Sequence, residues 1–269
     1  MKIVHCVSKR LSDQQRELLA ESGISIRSTG ADSLVGQIDT FEISEDHPIW
    51  DSVLESIIDS NAVDVIKTHF TVREREQSKY HSVGARHLGY PMPDDDFGYR
   101  SNTYSDQVAC WDCGISGDSI APFRLDTRTK RKFEFFQLHW VYDELFVESG
   151  IGLALSEKLG LGYTEVLDHE TGTSWDEFVQ MRIPDNVSVA HSLTGHGTSK
   201  CRTCGRLKYD IVNPGYFPSV DAPMNGHIAR TLEYFGSGGK AFRAIIVSAE
   251  FYHFVTKAKW KGLEFRPLA

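Results

Sequence analysis

The spacing of hydrophobic and polar positions predicts alternating strands and helices in the first hundred residues. Short apolar runs rich in branched side chains are typical of strands, and four are predicted, at residues 2–7, 24–27, 37–43 and 63–66. Helices are predicted at residues 13–22 and 48–58, between these strands, and a polar helix is predicted near 71–80, after the fourth strand. Ser12 or Asp13 is expected to cap the first helix, since either side chain accepts hydrogen bonds from the free amides at a helix start.

A second group of elements follows residue 133. Residues 133–147 are so rich in aromatic and branched side chains that buried strands are expected, with Trp140 in the core. Ser174 and Glu177 have the spacing of a helix capping box, which predicts a short helix there.

Two later stretches share a strand–helix–strand pattern that suggests an internal duplication. The strands and helices concerned are at residues 145–147, 151–158 and up to 167, and at 244–247, 250–257 and 263–265. Val147 and Val247, like Gly162 and Gly262, are one hundred positions apart. A duplication would cover about 110–168 and 201–269; chance recurrence of a common motif is the alternative.

These elements predict an α+β fold of mixed sheets with flanking helices, in which two β-α-β-like halves are joined. An N-terminal α/β segment is expected over residues 1–100 and a second domain over 101–269, with the boundary in the turn-rich stretch 87–106. That stretch contains three consecutive acidic residues, Asp94, Asp95 and Asp96. A solvated loop is the simplest interpretation of this run, and a contact for a basic partner or a cation site are the alternatives.

Four of the five cysteines form two Cys-x-x-Cys pairs, and glycine follows each pair. The pairs are Cys110 with Cys113 and Cys201 with Cys204. Two intervening residues let both sulfurs reach one ion, and the glycine tolerates the positive φ of such a turn. Four thiolates suit a tetrahedral Zn2+ with no open position, so one structural Zn2+ that ties the halves together is predicted. A redox dithiol, an iron–sulfur cluster and a catalytic zinc using His191 or His196 are the alternatives.

Composition and charge narrow the function classes. The 269 residues are 41% hydrophobic with a formal net charge of -8, an ordinary globular profile that excludes a disordered or collagenous chain. Nucleic-acid binders usually carry a basic excess, so such a role is disfavoured; it would use the basic run Arg128, Lys130, Arg131 and Lys132. Gly236–Lys240 lacks the spacing of a Walker loop and is predicted to be a turn.

Other classes lack positive signals in the sequence. No apolar run approaches the roughly 20 residues that span a bilayer, and the first residues do not resemble a signal peptide. A cytoplasmic protein without a membrane partner is therefore expected. The sequence also contains none of the common hydrolase or metalloprotease motifs, so no catalytic residue is assigned.

The order Cys-x-x-Cys-Gly, long insertion, Cys-x-x-Cys-Gly-Arg and a closing strand–helix–strand resembles the double-CxxCG motif family. That family is described from myxobacteria and related bacteria and is grouped with immunity proteins of polymorphic toxin systems. The likeness is best over about 201–269, where it includes residues 244–248, Phe251 and 261–265, and is thinner over 110–167.

The resemblance implies a non-enzymatic cytoplasmic protein that binds and neutralises a cognate protein toxin encoded next to it. Many such toxins are basic, and an acidic surface would steer the two proteins together. No toxin-contact residue follows from the resemblance. A zinc-ribbon nucleic-acid-binding or regulatory module is the alternative.

Overall fold

The computed structural model describes residues 1–30, 37–59, 61–105, 109–126 and 133–269, and these residues have the predicted α+β fold. Its helices are α1 (Asp13–Glu21), α2 (Trp50–Ser56), α3 (Val72–Gln77), α4 (Tyr99–Thr103), α5 (Ser149–Leu159) and α6 (Ala249–Ala258). Its strands are β1 (Lys2–Lys9), β2 (Ile26–Thr29), β3 (Ile38–Ser44), β4 (Val63–His69), β5 (Tyr80–Ala85), β6 (Pro91–Met92), β7 (Arg124–Leu125), β8 (Phe135–Leu138), β9 (Val141–Glu148), β10 (Tyr163–Asp168), β11 (Ser174–Met181), β12 (Asp185–Val187), β13 (Thr198–Lys200), β14 (Leu207–Tyr209), β15 (Ile228–Phe235), β16 (Phe242–Ser248) and β17 (Leu263–Pro267). No helix in the described part of the chain is long and apolar enough to cross a bilayer.

The chain forms two compact units, and their boundary differs from the one predicted at residue 100. The first unit comprises 1–74 with 213–215, and the second comprises 75–212 with 216–269. Residues after 74 belong to the second unit because β5 is a central strand of one of its sheets, hydrogen-bonded to β16 on one side and β17 on the other.

The first unit is a four-stranded antiparallel sheet with the strand order β2-β3-β1-β4. With α1 and α2 as crossovers, its connectivity is β-α-β-β-α-β, the ferredoxin-like arrangement. The expected N-cap is present at Ser12, whose side chain accepts a hydrogen bond from the Gln15 amide, while Gln15 bonds back to the Ser12 amide. Apolar residues of α1, α2 and the sheet form the core of this unit, among them Val7, Leu19 and Val53.

The second unit contains two sheets that share a core. One sheet has the order β6-β7-β10-β11-β9-β8, and the other has the order β13-β14-β15-β16-β5-β17 with β12 also paired to β15. Buried residues of both sheets and of α5 and α6 form one hydrophobic cluster, which includes Phe135, Val147, Val247 and Phe251. The predicted buried strands at 133–147 form the hairpin β8–β9.

The two halves of the second unit have the same connectivity. In each, a hairpin leads into a strand–helix–strand crossover, β9-α5-β10 or β16-α6-β17, and one further strand is inserted between the two crossover strands. Residues one hundred positions apart share the central cluster, namely Leu145 and Ile245, Val147 and Val247, Ile151 and Phe251, and Leu155 and Val255.

Equivalent residues also contact one another directly. The rings of Tyr142 and Phe242 lie 6.0 Å apart, and Arg243 Nε lies 3.8 Å from Asp143 Oδ2. The two halves therefore share their connectivity, and some of their equivalent residues pack against one another.

Two local expectations are wrong. Ser174 and Glu177 lie in β11, the strand inserted between β9 and β10, instead of starting a helix. Burial of Phe178 and Met181 in that sheet outweighs a capping signal that stabilises a helix only locally. Trp140 lies at the turn of the β8–β9 hairpin with φ +69° and is 37% exposed, so it is not a core residue.

Candidate metal centre

The thiols of the two Cys-x-x-Cys pairs converge on one point in the second unit. Cys110 Sγ lies 3.9 Å from Cys201 Sγ, and Cys113 Sγ lies 3.7 Å from Cys204 Sγ. All four sulfurs lie within 4.8 Å of one another. The predicted ligand set, drawn from segments 91 residues apart, therefore comes together and could hold a metal ion.

Both pairs lie in turns with the same backbone hydrogen bonds. In the first turn the Cys110 amide donates to the Ile115 carbonyl, and the Gly114 amide donates to the Cys110 carbonyl. The second turn repeats both bonds, from Cys201 to the Arg206 carbonyl and from Gly205 to the Cys201 carbonyl. The turns also contact each other, since Thr203 Oγ1 donates to Asp112 Oδ2 at 2.5 Å.

Glycine is required after the first pair for two reasons. Gly114 has φ +78°, which a residue with a Cβ rarely adopts, and a Cβ there would lie 2.0 Å from the Gly239 carbonyl oxygen. The predicted turn at Gly236–Lys240 is present between β15 and β16, and it packs against the first cysteine turn. Its glycines permit this close approach of two backbones.

The four thiols have unequal surroundings. Cys110 and Cys113 are buried, whereas Cys201 and Cys204 are partly exposed. Burial raises the pKa of the Cys113 thiol to about 12. A hydrogen bond from Arg206 Nε at 3.4 Å lowers the pKa of Cys204 to about 6. The two pairs thus differ, since Arg206 favours the thiolate of Cys204 while burial favours the neutral thiol of Cys113.

Two basic side chains supply positive charge next to the sulfurs. Arg206 donates to Cys204, as described. Lys208 is 3% exposed, and its ammonium donates to the carbonyls of Cys113, Gly238 and Lys240 at 2.9, 2.6 and 3.0 Å. Four thiolates around a divalent cation carry a net charge of about -2, which these two cations offset.

Replacing Lys208 by methionine tests this role. One buried carbonyl and two partly buried carbonyls would lose their donor, and each unsatisfied group costs about 1–3 kcal/mol when no water replaces it. We expect the free energy of unfolding to fall by about 3 kcal/mol and metal affinity to fall about 10-fold or more, as for other groups that orient ligands. Chemical denaturation and competition with a chromogenic chelator measure the two effects.

Lys200→Met is the matched control, because Lys200 is an exposed lysine on β13, directly before the second cysteine turn. It should change the free energy of unfolding by less than about 0.5 kcal/mol. If the two variants had the same free energy of unfolding and the same metal affinity, the assigned role of Lys208 would be contradicted.

The geometry suits a single tetrahedral ion. Metal–sulfur bonds of about 2.3 Å produce a tetrahedron with sulfur–sulfur edges of about 3.8 Å. Two of the sulfur–sulfur distances are 3.9 and 3.7 Å, and all of them are within 4.8 Å. His191 and His196 are exposed and are not members of the described sulfur cluster.

The other residues singled out from the sequence lie elsewhere. Asp94 precedes a short 3-10 turn that contains Asp95 and Asp96, and the latter two side chains are exposed. None of the three belongs to a described metal-ligand cluster. The basic run at 128–132 lies outside the described residues.

Sequence reasoning missed the supporting residues of the site. Arg206 directly follows Gly205, so its position beside the second pair was a usable signal. Lys208 had no such signal, because its acceptors come from the first cysteine turn and from the β15–β16 turn.

Taken together, the site is a closed set of four thiols held by two matching turns and two buried or partly buried cations. This arrangement can hold one metal ion and join two distant segments. Comparison of the chain with protein-family models, with curated proteins and with solved structures gave no match in any of the three.

Proposed function

We propose that this chain is a non-enzymatic immunity protein, which binds and neutralises a cognate protein toxin and contains one structural Zn2+. The observation that carries the proposal is the pairing of the two Cys-x-x-Cys-Gly turns around one site, since these turns carry the resemblance to the double-CxxCG family. The closing strand–helix–strand of that resemblance corresponds to β16, α6 and β17.

Zinc is supported by the chemistry of the donors. Four thiolates favour a soft or borderline cation, and Zn2+ accepts tetrahedral geometry without a preference of its own. An iron–sulfur cluster that distributes its cysteines over several irons needs a larger cage than four sulfurs within 4.8 Å of one another supply. Zinc bound here would act on stability, because binding free energy at a structural site is folding free energy.

A binding role, as opposed to catalysis, is supported by the pairing of the charged residues in the second unit. A cavity of about 450 Å³ is lined by Asp143, Glu144, Arg230 and Arg243, with no histidine among its described lining residues. Glu144 is buried and held by Arg230 at 2.5 Å and by Gln180 at 2.8 Å. The Glu144 carboxylate thus forms an ion pair between the two sheets, and its hydrogen bonds hold it away from a role in proton transfer.

The charge of the chain supports a basic partner. The sequence has 37 acidic and 29 basic residues, a formal net charge of -8. Complementary charge raises association rates and helps to exclude wrong partners, which suits a protein that must capture a toxin before the toxin acts.

Co-expression tests the proposal. The protein encoded by the adjacent open reading frame is expected to arrest growth when expressed alone, and co-expression of this chain should restore growth. The purified pair should form a complex with a Kd in the nanomolar range or tighter, measured by calorimetry. A neighbour that is neither toxic nor bound by this chain would refute the proposed function.

The zinc ligand variant Cys113→Ser is a control for rescue. If zinc acts by stabilising the fold, protection of cells by this variant should decrease in proportion to the decrease in folded protein. Full protection by a metal-free chain would contradict the structural role of zinc.

A further inference from the structure

We infer that a patch of exposed aromatic side chains beside the first cysteine turn is the docking surface for a basic partner protein. The patch consists of Tyr90, Phe97, Trp111 and Trp140, with Arg100 among them. This inference rests on the proposed function and specifies which face of the chain the toxin contacts.

The members of the patch contact one another in an unbroken series. The Trp140 ring lies 4.7 Å from the Tyr90 ring and 4.6 Å from the Phe97 ring, between centroids. The Arg100 guanidinium lies 4.5 Å from the Phe97 ring and 4.9 Å from the Trp111 ring. The patch therefore links the β8–β9 turn, the 3-10 turn and the first cysteine turn into one surface.

Its aromatic side chains are unusually exposed for their type. Tyr90, Phe97, Trp111 and Trp140 are 42%, 43%, 42% and 37% exposed. Isolated exposed apolar residues are ordinary, whereas a contiguous group marks an interaction site. Tryptophan, tyrosine and arginine are also the residues most enriched among those that dominate binding energy at protein interfaces.

The patch includes a recess for an anchoring side chain. A cavity of about 200 Å³ is lined by Phe97, Arg100, Trp111 and Trp140 from the patch, and by Tyr99, Asp143 and Lys240. Well-packed pockets that exclude water are where interface anchors contribute most. The Tyr99 ring is buried and stacks on Trp140 with 6.2 Å between centroids.

The backbone holds two of the rings in unfavourable conformations. Phe97 has φ +55° and Trp140 has φ +69°, and Asp96 before Phe97 has φ +47°. Bulky residues rarely adopt positive φ, and each such residue costs of order 1–3 kcal/mol. The fold thus keeps large rings at the surface where glycine or asparagine would fit with less strain.

Exposed carboxylates next to the patch favour a basic partner. Asp95 and Asp96 are exposed directly before Phe97, and Asp112 is exposed directly after Trp111. The guanidinium of Arg100 is engaged with rings of the patch. Carboxylates around an apolar centre give the polar rim of a typical interface and attract lysine and arginine of the partner.

The test is binding of the adjacent gene's protein by patch variants, with the full chain in every case. The variant Phe97→Ala with Trp111→Ala should raise the Kd by at least 30-fold, mostly through faster dissociation. The variant Asp95→Asn with Asp96→Asn should slow association about 3-fold or more at low salt, with the difference disappearing at high salt. Leu153→Ala is the matched control, an exposed apolar residue on α5 outside the patch, and it should bind like the native chain.

Zinc content and melting temperature confirm that each variant is folded. Asparagine tolerates positive φ, so the aspartate variant tests the surface even if the aromatic variant is unstable. A folded aromatic variant that binds within 3-fold of the native chain, or an aspartate variant that associates at the native rate at low salt, would overturn this inference and leave the proposed function intact. A native chain that does not bind the neighbour at all overturns both.

Discussion

Replacing Cys113 by serine is expected to abolish metal binding and to destabilise the second unit. A serine hydroxyl is not a zinc ligand at neutral pH, and the remaining thiols leave the site one ligand short. The ion also closes a loop of 91 residues, so its loss frees the unfolded chain. We expect the metal content to fall from about one ion per chain to nearly none, and the free energy of unfolding to fall by at least about 3 kcal/mol. For a unit of this size that lowers the melting temperature by about 6–12 °C.

The fifth cysteine provides the control. Cys6 lies in β1 of the first unit and is outside the sulfur cluster, so Cys6→Ser should retain the metal. A strong chelator should lower the melting temperature of the native chain and of Cys6→Ser, and should leave Cys113→Ser unchanged. If Cys113→Ser keeps its metal and melts like the native chain, the assigned ligand set is wrong.

Replacing Arg230 by methionine is expected to have an effect of similar size. Arg230 on β15 donates to the Glu144 carboxylate at 2.5 Å, and to the carbonyls of Asp143 and Ile183 at 2.8 and 3.1 Å. Glu144 is only 4% exposed. Removing one partner of a buried ion pair leaves an uncompensated charge and costs about 3–5 kcal/mol. Urea denaturation would measure this loss.

The effect should depend on pH in a defined direction. Burial raises the pKa of Glu144 in the native chain, and the Arg230 guanidinium opposes that rise. Without Arg230 the folded-state pKa rises further. A carboxyl whose pKa is raised by folding stabilises the fold below its unfolded pKa, and this contribution is lost as pH rises through the folded pKa. Arg230→Met should therefore be less destabilised at pH 5 than at pH 8.

Two further variants make this prediction specific. Arg182 is an exposed arginine that lines the same cavity, and Arg182→Met should change the free energy of unfolding by less than about 0.5 kcal/mol. The double variant Arg230→Met with Glu144→Leu should recover much of the lost stability, because an apolar pair needs no charge compensation. A double variant no more stable than Arg230→Met would contradict a dominant role for the unpaired charge.

Local signals in the sequence predicted much of the secondary structure. Ser12 caps α1 as expected, and the apolar runs at 145–147 and 244–247 form parts of β9 and β16. These predictions succeeded because capping and short apolar runs depend on a few neighbouring residues. The Cys-x-x-Cys-Gly turns were equally local, since the spacing and the glycine decide their conformation.

Predictions that depended on distant partners were less successful. The Ser174–Glu177 signal was overridden because β11 completes a sheet between β9 and β10. The domain boundary was misplaced because β5 pairs with strands more than 150 residues later in the chain. Neither pairing leaves a pattern in the residues around β5 or β11 alone.

By itself, the sequence determined the α+β class, most helices and strands, and the four cysteines that are candidate ligands. Only the tertiary structure decided that the four sulfurs meet, that Lys208 supplies buried positive charge beside them, and that Trp140 joins an exposed aromatic patch. The physical reason is the range of the interactions. Propensity and capping act within a few residues, whereas burial, ion pairing and metal ligation depend on which distant segments pack together.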